Sequence, residues 1–400
     1  MRQKKNDHVL RKKRRYGIII LLSVLLCLTA CEREQDTAGE PEAKNGFAVS
    51  ETSIMADTED GVYFCEMSQD NFIYYWDFSQ NQCVYLCGKA DCAHNSEECN
   101  AWFEGLLPYT LEIYQGKLYL WAYSSAQAVL YRMDLDGSNR TEICRCQSSD
   151  GKTGVPNFSK LYNGYCYMRA ALGTGPNGHD LEGVYRQSLN GEKDAELIYI
   201  PDTEDGWIHR LYGLRADDGY VYFEDLQYRE EERKCEIFQY DIASGKLDVI
   251  YTSNNHTSFV KADNKLIVSE NAMDGNGFAA TCAMDLESGS VEKLMDVGGN
   301  LTYDGEYLYV ITSNNTIAVF NLEGTQIDLF EHGFEGDMEY DTIQMLTSQS
   351  YLYGWGEIWE EEDSGINTVR YIYHLYDKSD IGKEEHFCRT VEFEQVIQGS

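Results

Sequence analysis

The clearest strand pattern of the chain lies in QGKLYLWAYSSAQAVLYRMDLDGSNR, residues 115–140. It opens with a glycine turn and then places apolar and aromatic side chains at alternate positions over residues 117–123. A second apolar run over 128–133 ends in the polar turn DLDGSN, Asp134–Asn139. A period of two puts alternate side chains on one face of a strand, and Gly, Asn and Asp favour tight turns. The stretch therefore predicts two antiparallel strands, each bounded by a turn.

The same pattern recurs along the chain at intervals of roughly 41–55 residues, whereas no long stretch shows a 3.6-residue apolar period. Each copy is followed by a strand-like run that ends in a polar turn, and a further apolar run usually comes next. Many copies also have a strand-like run before them, so each unit predicts about four strands. The seven copies of the first segment are DGVYFCEM, QGKLYLWAY, NGYCYMRA, DGYVYFED, DNKLIVSE, DGEYLYVI and SQSYLYGW.

Units of four antiparallel strands at this period predict an all-β fold, a β-propeller of about seven four-stranded blades. Six or eight blades, or two stacked β-sandwich domains, are the alternatives, and regular recurrence without a linker favours the propeller. The turn Asp134–Asn139 resembles the turn of TolB-like and YWTD-type propeller repeats, which implies the same architecture. We expect the segment FAVSETSIMA, residues 47–56, to complete the last blade and close the ring.

The N-terminus has the parts of an export signal. Eight lysines and arginines lie in the first fifteen residues, and the apolar run GIIILLSVLLCLTA follows at 17–30. This run is shorter than the roughly 20 residues that a membrane-spanning helix needs, so it predicts a secretory signal peptide. The segment LTAC, Leu28–Cys31, resembles the lipobox of bacterial lipoproteins. That resemblance implies cleavage before Cys31, acylation of Cys31, and a lipid anchor in the cell membrane with the protein on the extracytoplasmic face.

The predicted organisation is a lipoprotein signal peptide at 1–30, the lipidated Cys31 with a polar tether at 31–47, and the propeller domain at 48–400. Removal of the signal peptide leaves 25 basic and 66 acidic residues, so the net charge changes from −34 to near −41. Nucleic acids and anionic lipids bind basic surfaces, and this charge therefore argues against both as partners. We expect a monomer that meets the membrane through the lipid on Cys31.

One segment, CGKADCAHNSEEC at residues 87–99, concentrates metal-binding side chains in the connection between the first two units. Three thiols and one imidazole could form a closed zinc site, and a site with four protein ligands would be structural rather than catalytic. The segment resembles the C-x4-C-x-H-x4-C run of uncharacterised propeller-type lipoproteins of Gram-positive bacteria, a resemblance that implies no particular activity. The four candidate ligands are Cys87, Cys92, His94 and Cys99.

Disulfide bonds are the competing interpretation of the same segment, because an exported chain meets an oxidising environment. A reactive thiol is the third interpretation, although no family signature of a cysteine nucleophile surrounds these residues. The cysteines that could form two bridges are Cys83, Cys87, Cys92 and Cys99, with Cys65 as a further candidate.

The predicted function is a non-catalytic binding or assembly module that presents one face of the propeller to a protein, peptide or glycan. A carbohydrate-active or other hydrolytic enzyme, with acids in the central channel, is the alternative, although no catalytic motif marks such acids in the sequence. Two insertions, Leu226–Cys235 and Trp355–Arg370, are expected to project on one face of the disc. Four tryptophans could line a ligand face: Trp102, Trp207, Trp355 and Trp359.

Overall fold

The structure, a computed structural model, describes residues 55–398 with short internal gaps. Cys31, the signal peptide and the tether lie outside the described residues. For some strand residues, including 355–371 and 391–398, only the backbone is described. Within the described part of the chain, no helix is long and apolar enough to cross a membrane. The gaps are 66–70, 125–126, 147–155, 175–179, 192–194, 203–205, 231, 272–277, 312–315, 332–343, 348–350 and 362–365.

Seven four-stranded antiparallel sheets form the blades of a β-propeller, and consecutive strands are neighbours within every blade. This confirms the predicted all-β fold and the blade count. Blades 1 to 4 comprise β1 (Met55–Thr58), β2 (Gly61–Cys65), β3 (Ile73–Asp77) and β4 (Gln82–Tyr85); β5 (Leu107–Tyr114), β6 (Lys117–Tyr123), β7 (Ala128–Met133) and β8 (Thr141–Cys146); β9 (Pro156–Tyr162), β10 (Tyr165–Thr174), β11 (Asp180–Ser188) and β12 (Glu196–Tyr199); and β13 (Ile208–Asp217), β14 (Tyr220–Arg229), β15 (Glu232–Asp241) and β16 (Leu247–Ser253). Blades 5 to 7 comprise β17 (His256–Ala262), β18 (Lys265–Asn271), β19 (Phe278–Asp285) and β20 (Val291–Met295); β21 (Asn300–Tyr303), β22 (Leu308–Ile311), β23 (Thr316–Phe320) and β24 (Gln326–Glu331); and β25 (Gln344–Thr347), β26 (Tyr351–Glu361), β27 (Ile366–Asp377) and β28 (Cys388–Gln398).

The first strand of each blade lies innermost and the fourth lies at the rim. First strands of successive blades contact one another, as β1 does with β5, β5 with β9, and β17 with β21. Fourth strands such as β4 and β20 are mostly exposed. The second strands are the most buried because both of their faces are covered by neighbouring blades. Strand β2 is buried throughout, and β14 is buried except at its ends. This explains why the repeated segment, which forms the second strand, carries the strongest apolar pattern.

The glycine of the repeated segment joins one blade to the next. Gly164 and Gly219 lie in the turns between first and second strands, with φ angles of 77° and 82° that only glycine adopts readily. The Gly164 N–H donates a hydrogen bond to the Tyr114 hydroxyl of the preceding blade at 2.9 Å. The Gly219 N–H donates to the Tyr162 hydroxyl in the same way at 3.0 Å. A tyrosine at the end of one first strand therefore fixes the turn of the following blade.

Ring closure is made by packing between blades 7 and 1. The Phe64 and Tyr373 rings lie 5.8 Å apart, and the Phe78 and Tyr351 rings lie 4.8 Å apart. All four described strands of the last blade come from residues 344–398. Of the segment predicted to complete the last blade, residues 47–54 lie outside the described residues, and the prediction is wrong for Met55 and Ala56, which begin the first strand of blade 1 instead.

The two predicted insertions extend hairpins rather than forming separate loops. Strands β14 and β15 pair without a break from Tyr220–Asp241 to Arg229–Glu232. Strands β26 and β27 pair from Tyr351–Asp377 to Glu361–Asn367. Both hairpins connect the second and third strands of their blades. They therefore extend from the same end of the strands in both blades.

Acidic side chains hold the turns between third and fourth strands. The Asp241 carboxylate accepts hydrogen bonds from the Ala243 and Ser244 N–H groups, both at 2.9 Å. Asp285 accepts equivalent bonds from Glu287 and Ser288. Hydrogen bonds of this kind lower the pKa of both aspartates, chiefly the bonds from Ser244 and Ser288. Similar bonds formed by Asp77 and Asp377 explain the recurrence of the polar turns in the sequence.

We expect these turn aspartates to make the protein less stable in acid. Because their pKa is lower in the folded chain, their contribution is present above the unfolded pKa of about 4 and is lost as the pH falls through the folded value. The urea midpoint should therefore fall more steeply below pH 4 in the natural protein than in the variant Asp241→Asn/Asp285→Asn. Asparagine keeps the acceptor oxygen and removes the charge. Parallel acid limbs in the two proteins would contradict the prediction.

Candidate functional site: a Cys3His cluster

The connection between blades 1 and 2 is fixed at both ends against strand β3. The Leu86 N–H donates to the Ile73 carbonyl at 2.9 Å, and the Ile73 N–H donates to the Ala101 carbonyl at 3.1 Å. Tight turns shape the segment between, because the Cys92 N–H reaches the Lys89 carbonyl and the Cys99 N–H reaches the Ser96 carbonyl. The connection therefore begins and ends beside Ile73 of β3, and this brings the two ends of the cysteine segment together.

The four predicted ligands meet in this connection. The sulfurs of Cys87, Cys92 and Cys99 and a ring nitrogen of His94 all lie within 4.8 Å of one another. His94 Nδ1 is 3.3 Å from Cys99 Sγ. Zinc bonds of about 2.3 Å to sulfur and 2.0–2.1 Å to nitrogen place tetrahedral ligand atoms roughly 3.6–3.8 Å apart. The four atoms can therefore converge on a zinc ion with little movement.

Hydrogen bonds to the sulfurs favour metal-binding thiolates. Burial raises the pKa of Cys87, but bonds from the Lys89 and Asn100 N–H groups and from the two neighbouring thiols outweigh it, so its pKa lies below the usual value. At Cys99 burial dominates and raises the pKa to about 11, against a bond from the Ala101 N–H. A bound dication would favour the thiolate form at all three sulfurs.

His94 reaches the cluster through an uncommon backbone conformation. Its φ angle is 51°, in the left-handed region that histidine enters more often than most residues. Its ring packs on Tyr85, with the centroids 4.7 Å apart. Such a conformation costs about 1–3 kcal/mol and persists where other interactions fix it. Convergence of the imidazole on three sulfurs is an interaction of that kind.

Two further cysteines of blade 1 do not join the cluster. Cys65 is fully buried, and burial raises the pKa of its thiol. Cys83 is half-buried in β4, outside the group of four converging ligands. None of the described cysteines forms a disulfide, which requires sulfurs about 2.0 Å apart. A disulfide does not require N–H donors directed at its sulfurs, whereas a metal-bound thiolate is stabilised by them. The geometry of the cluster therefore fits a metal site better than a disulfide.

The predicted tryptophan face stays a prediction. Trp102 is half-buried beside the cysteine segment, where its ring lies 5.9 Å from Phe72. Trp207 belongs to blade 4, and the Arg229 guanidinium lies 4.7 Å from its ring centroid. Trp355 and Trp359 are in β26, and their side chains lie outside the described residues.

Comparisons with known proteins show no family for this chain. No family model matches the chain, and no curated protein matches it. Among solved structures it is similar to an oligogalacturonate lyase in complex with manganese, at 8% identity and a TM-score of 0.46, covering 64% of this chain and 71% of the other. It is also similar to a prolyl endopeptidase structure, at 10% identity and a TM-score of 0.49, covering 84% of this chain and 55% of the other. TolB from Acinetobacter baumannii matches at 13% identity and a TM-score of 0.37, over 66% of this chain and 61% of the other.

Two adjacent acids in β14 were not singled out by the sequence. Successive strand residues face opposite sides, so Glu224 faces blade 5 and Asp225 faces blade 3. The Thr257 hydroxyl donates to Glu224 at 2.7 Å. The Tyr199 hydroxyl donates to Asp225 at 2.6 Å, and His209 Nδ1 lies 2.8 Å from the same carboxylate. No sequence signal could have found these contacts, because their partners lie in other blades or strands at no fixed spacing.

Glu224 should make the protein less stable as the pH rises toward neutrality. Burial raises its pKa to about 7, against hydrogen bonds from Thr257 and Cys235 that lower it. The folded chain therefore holds this proton where the unfolded chain has released it, so stability falls as the pH rises from about 4 to 7. The variant Glu224→Gln should lose this dependence in urea unfolding between pH 5 and 8. An unchanged slope would contradict the assignment.

Proposed function

We propose that the protein is a membrane-anchored extracytoplasmic lipoprotein whose propeller is a non-catalytic binding or assembly module for a protein, peptide or glycan. We further propose that it carries one structural zinc ion, held by Cys87, Cys92, His94 and Cys99. The observation that carries the proposal is the convergence of these four side chains within 4.8 Å. Four protein ligands complete the tetrahedral shell of zinc, and a closed shell offers no position for substrate.

The zinc ion would stabilise the connection between blades 1 and 2. This segment has few apolar contacts of its own, and most of residues 88–98 are exposed or half-buried. Cys99 is buried beside the core of blade 1, and Leu86 is buried there as well. A metal joining Cys99 to the exposed part of the segment would fix a polar surface against the propeller. Such a rigid, polar surface suits recognition better than turnover.

The acids of the described blades support binding rather than hydrolysis. Glu112 accepts hydrogen bonds from Lys160 and from the Leu161 N–H, and it therefore joins blades 2 and 3. Asp304 pairs with Lys378 of blade 7 at 2.5 Å. Glu224 and Asp225 are bonded to neighbouring strands as described above. These buried carboxylates are engaged in holding blades together, whereas glycoside hydrolysis needs two that flank a substrate.

The lipid anchor is tested by changing the residue that would carry it. In a bacterial host, the variant Cys31→Ser should lose label from radioactive palmitate and move from the membrane fraction to the soluble extracytoplasmic fraction. The variant Cys83→Ala, which keeps the predicted lipidation site, should stay labelled and membrane-bound. Unlabelled natural protein, or membrane retention of Cys31→Ser, would contradict the lipoprotein assignment.

A further inference from the structure

A cleft of about 320 Å³ lies beside the Cys3His cluster. One wall is the cysteine segment, including Lys89, Glu97, Glu98 and Cys99. The other wall is the turn after β7, which contributes Gly137, Asn139 and Arg140. The volume is at the lower end of small-ligand sites, so it fits a small molecule or the end of a chain.

The two walls are held together by direct contacts. The Arg140 Nη1 group donates to the Trp102 carbonyl at 2.6 Å, and the Asn100 side chain donates to the Asp136 carbonyl at 3.5 Å. A Cβ atom at Gly137 would lie 2.8 Å from the Leu86 carbonyl oxygen, so the turn already touches the segment. The shape of the cleft is therefore fixed by contacts between its two walls. Because Cys99 lines the cleft, the cleft adjoins the proposed zinc centre.

Arg140 is fixed in this cleft, and among the described residues no carboxylate forms an ion pair with it, Glu97 acting on it only from farther away. Its guanidinium stacks 4.3 Å from the Phe103 ring centroid and uses Nη1 on a carbonyl. Lys89 likewise bonds to a carbonyl, that of Glu98. Neither cation forms an ion pair with a described acid, although the protein carries 67 acidic residues and 33 basic ones. A half-buried guanidinium gains most from a carboxylate, which it can bind in a bidentate manner.

The same cleft also presents the carboxylates of Glu97 and Glu98, and neither pairs with a cation of the described chain. The cleft thus holds two cations and two anions that form no ion pair with one another, although Glu97 and the Cys99 sulfur act on Arg140 electrostatically from farther away. A ligand with one ammonium and one carboxylate group would satisfy both sets at once. An anion alone would meet repulsion from the glutamates, and a cation alone would meet repulsion from Lys89 and Arg140.

We propose that this cleft binds a small zwitterion, a short peptide whose carboxylate contacts Arg140 and Lys89 and whose ammonium contacts Glu97 and Glu98. This inference rests on the proposed function, since it names a ligand class for the binding module. Because Cys99 lies in the cleft wall, loss of the zinc ion should weaken peptide binding as well.

Saturation-transfer NMR titration with L-alanyl-L-alanine tests the proposal. The dipeptide should bind saturably, while its N-acetyl and C-terminal amide analogues, each lacking one charge, should bind at least fivefold more weakly. Free alanine as a further probe shows whether the peptide unit itself contributes. The exposed variants Lys89→Gln and Glu97→Gln should each weaken binding at least fivefold, and Lys246→Gln, which removes an exposed lysine of blade 4, should leave it unchanged.

Absence of saturable binding, equal affinity for the charged and blocked dipeptides, or unchanged binding in Lys89→Gln and Glu97→Gln would overturn the inference. The zinc content is measured on the same samples. Zinc-loaded protein that fails to bind the dipeptide would refute the peptide site and leave the zinc proposal standing. Metal-free protein would refute the zinc proposal first.

Discussion

Replacing Cys99 by alanine should abolish zinc binding and lower the melting temperature by about 5 °C. A ligand that binds only the folded state at 1,000 times its Kd contributes about 4 kcal/mol. An unfolding entropy of about 2.1 cal/mol/K per residue over a propeller of roughly 350 residues converts this into that shift. Cys99 is the buried member of the cluster, so its loss also removes the link from the exposed segment to the core. Differential scanning calorimetry with and without a chelator measures the effect.

The matched control is Cys83→Ala, in the strand that precedes the cluster. It should keep its zinc and shift on chelation by as much as the natural protein does. Cys99→Ala should show no further shift with the chelator, because its metal is already absent. This comparison separates the loss of metal from the small cavity that the substitution leaves. A chelator without effect on the natural protein would contradict the assignment.

Replacing Lys378 by methionine should lower the free energy of unfolding by about 3–5 kcal/mol, the range for breaking one partner of a buried ion pair. Asp304 and Lys378 have side-chain exposures of 7% and 9%, and their charged atoms lie 2.5 Å apart. The Tyr309 hydroxyl also donates to Asp304 at 2.6 Å. Methionine keeps the unbranched apolar part of the lysine side chain but leaves the carboxylate without its cation. Chemical denaturation at neutral pH measures the change.

The double variant Lys378→Met/Asp304→Asn tests whether the cost comes from an uncompensated charge. Removing both charges should recover much of the lost stability, since two neutral groups of similar shape carry no buried ion. The exposed pair Lys246–Asp248 offers the control, because Lys246→Met should change stability by less than about 1 kcal/mol. A double variant less stable than Lys378→Met would show that the pair is not held by charge.

The blades were predictable because each one carries its own signal. The alternating apolar residues of strands such as Lys117–Tyr123 and the polar turn at 134–139 are local, and sevenfold recurrence fixed the architecture. The cluster of four candidate ligands was predictable for the same reason, since they lie within thirteen residues of sequence. Their convergence depends on turns inside that short segment.

Contacts between blades were not predictable, because they join residues at separations without any pattern. Lys378 and Asp304 are 74 residues apart, and Lys160 and Glu112 are 48 apart. The prediction that Met55 and Ala56 belong to the last blade was wrong for a related reason. The apolar residues Met55 and Ala56 suit a strand in either blade, and only packing with the rest of the ring decides between them.

Native mass spectrometry of the purified protein, before and after denaturation, distinguishes a zinc centre from disulfides. We expect one zinc ion per folded chain, lost on denaturation, with the cluster cysteines open to alkylation only after chelation. A metal-free chain lighter by two hydrogens for each bridge would show disulfides at Cys87–Cys99 instead. That result would contradict the zinc centre, and so would a metal-free chain whose cluster thiols are alkylated in the folded state.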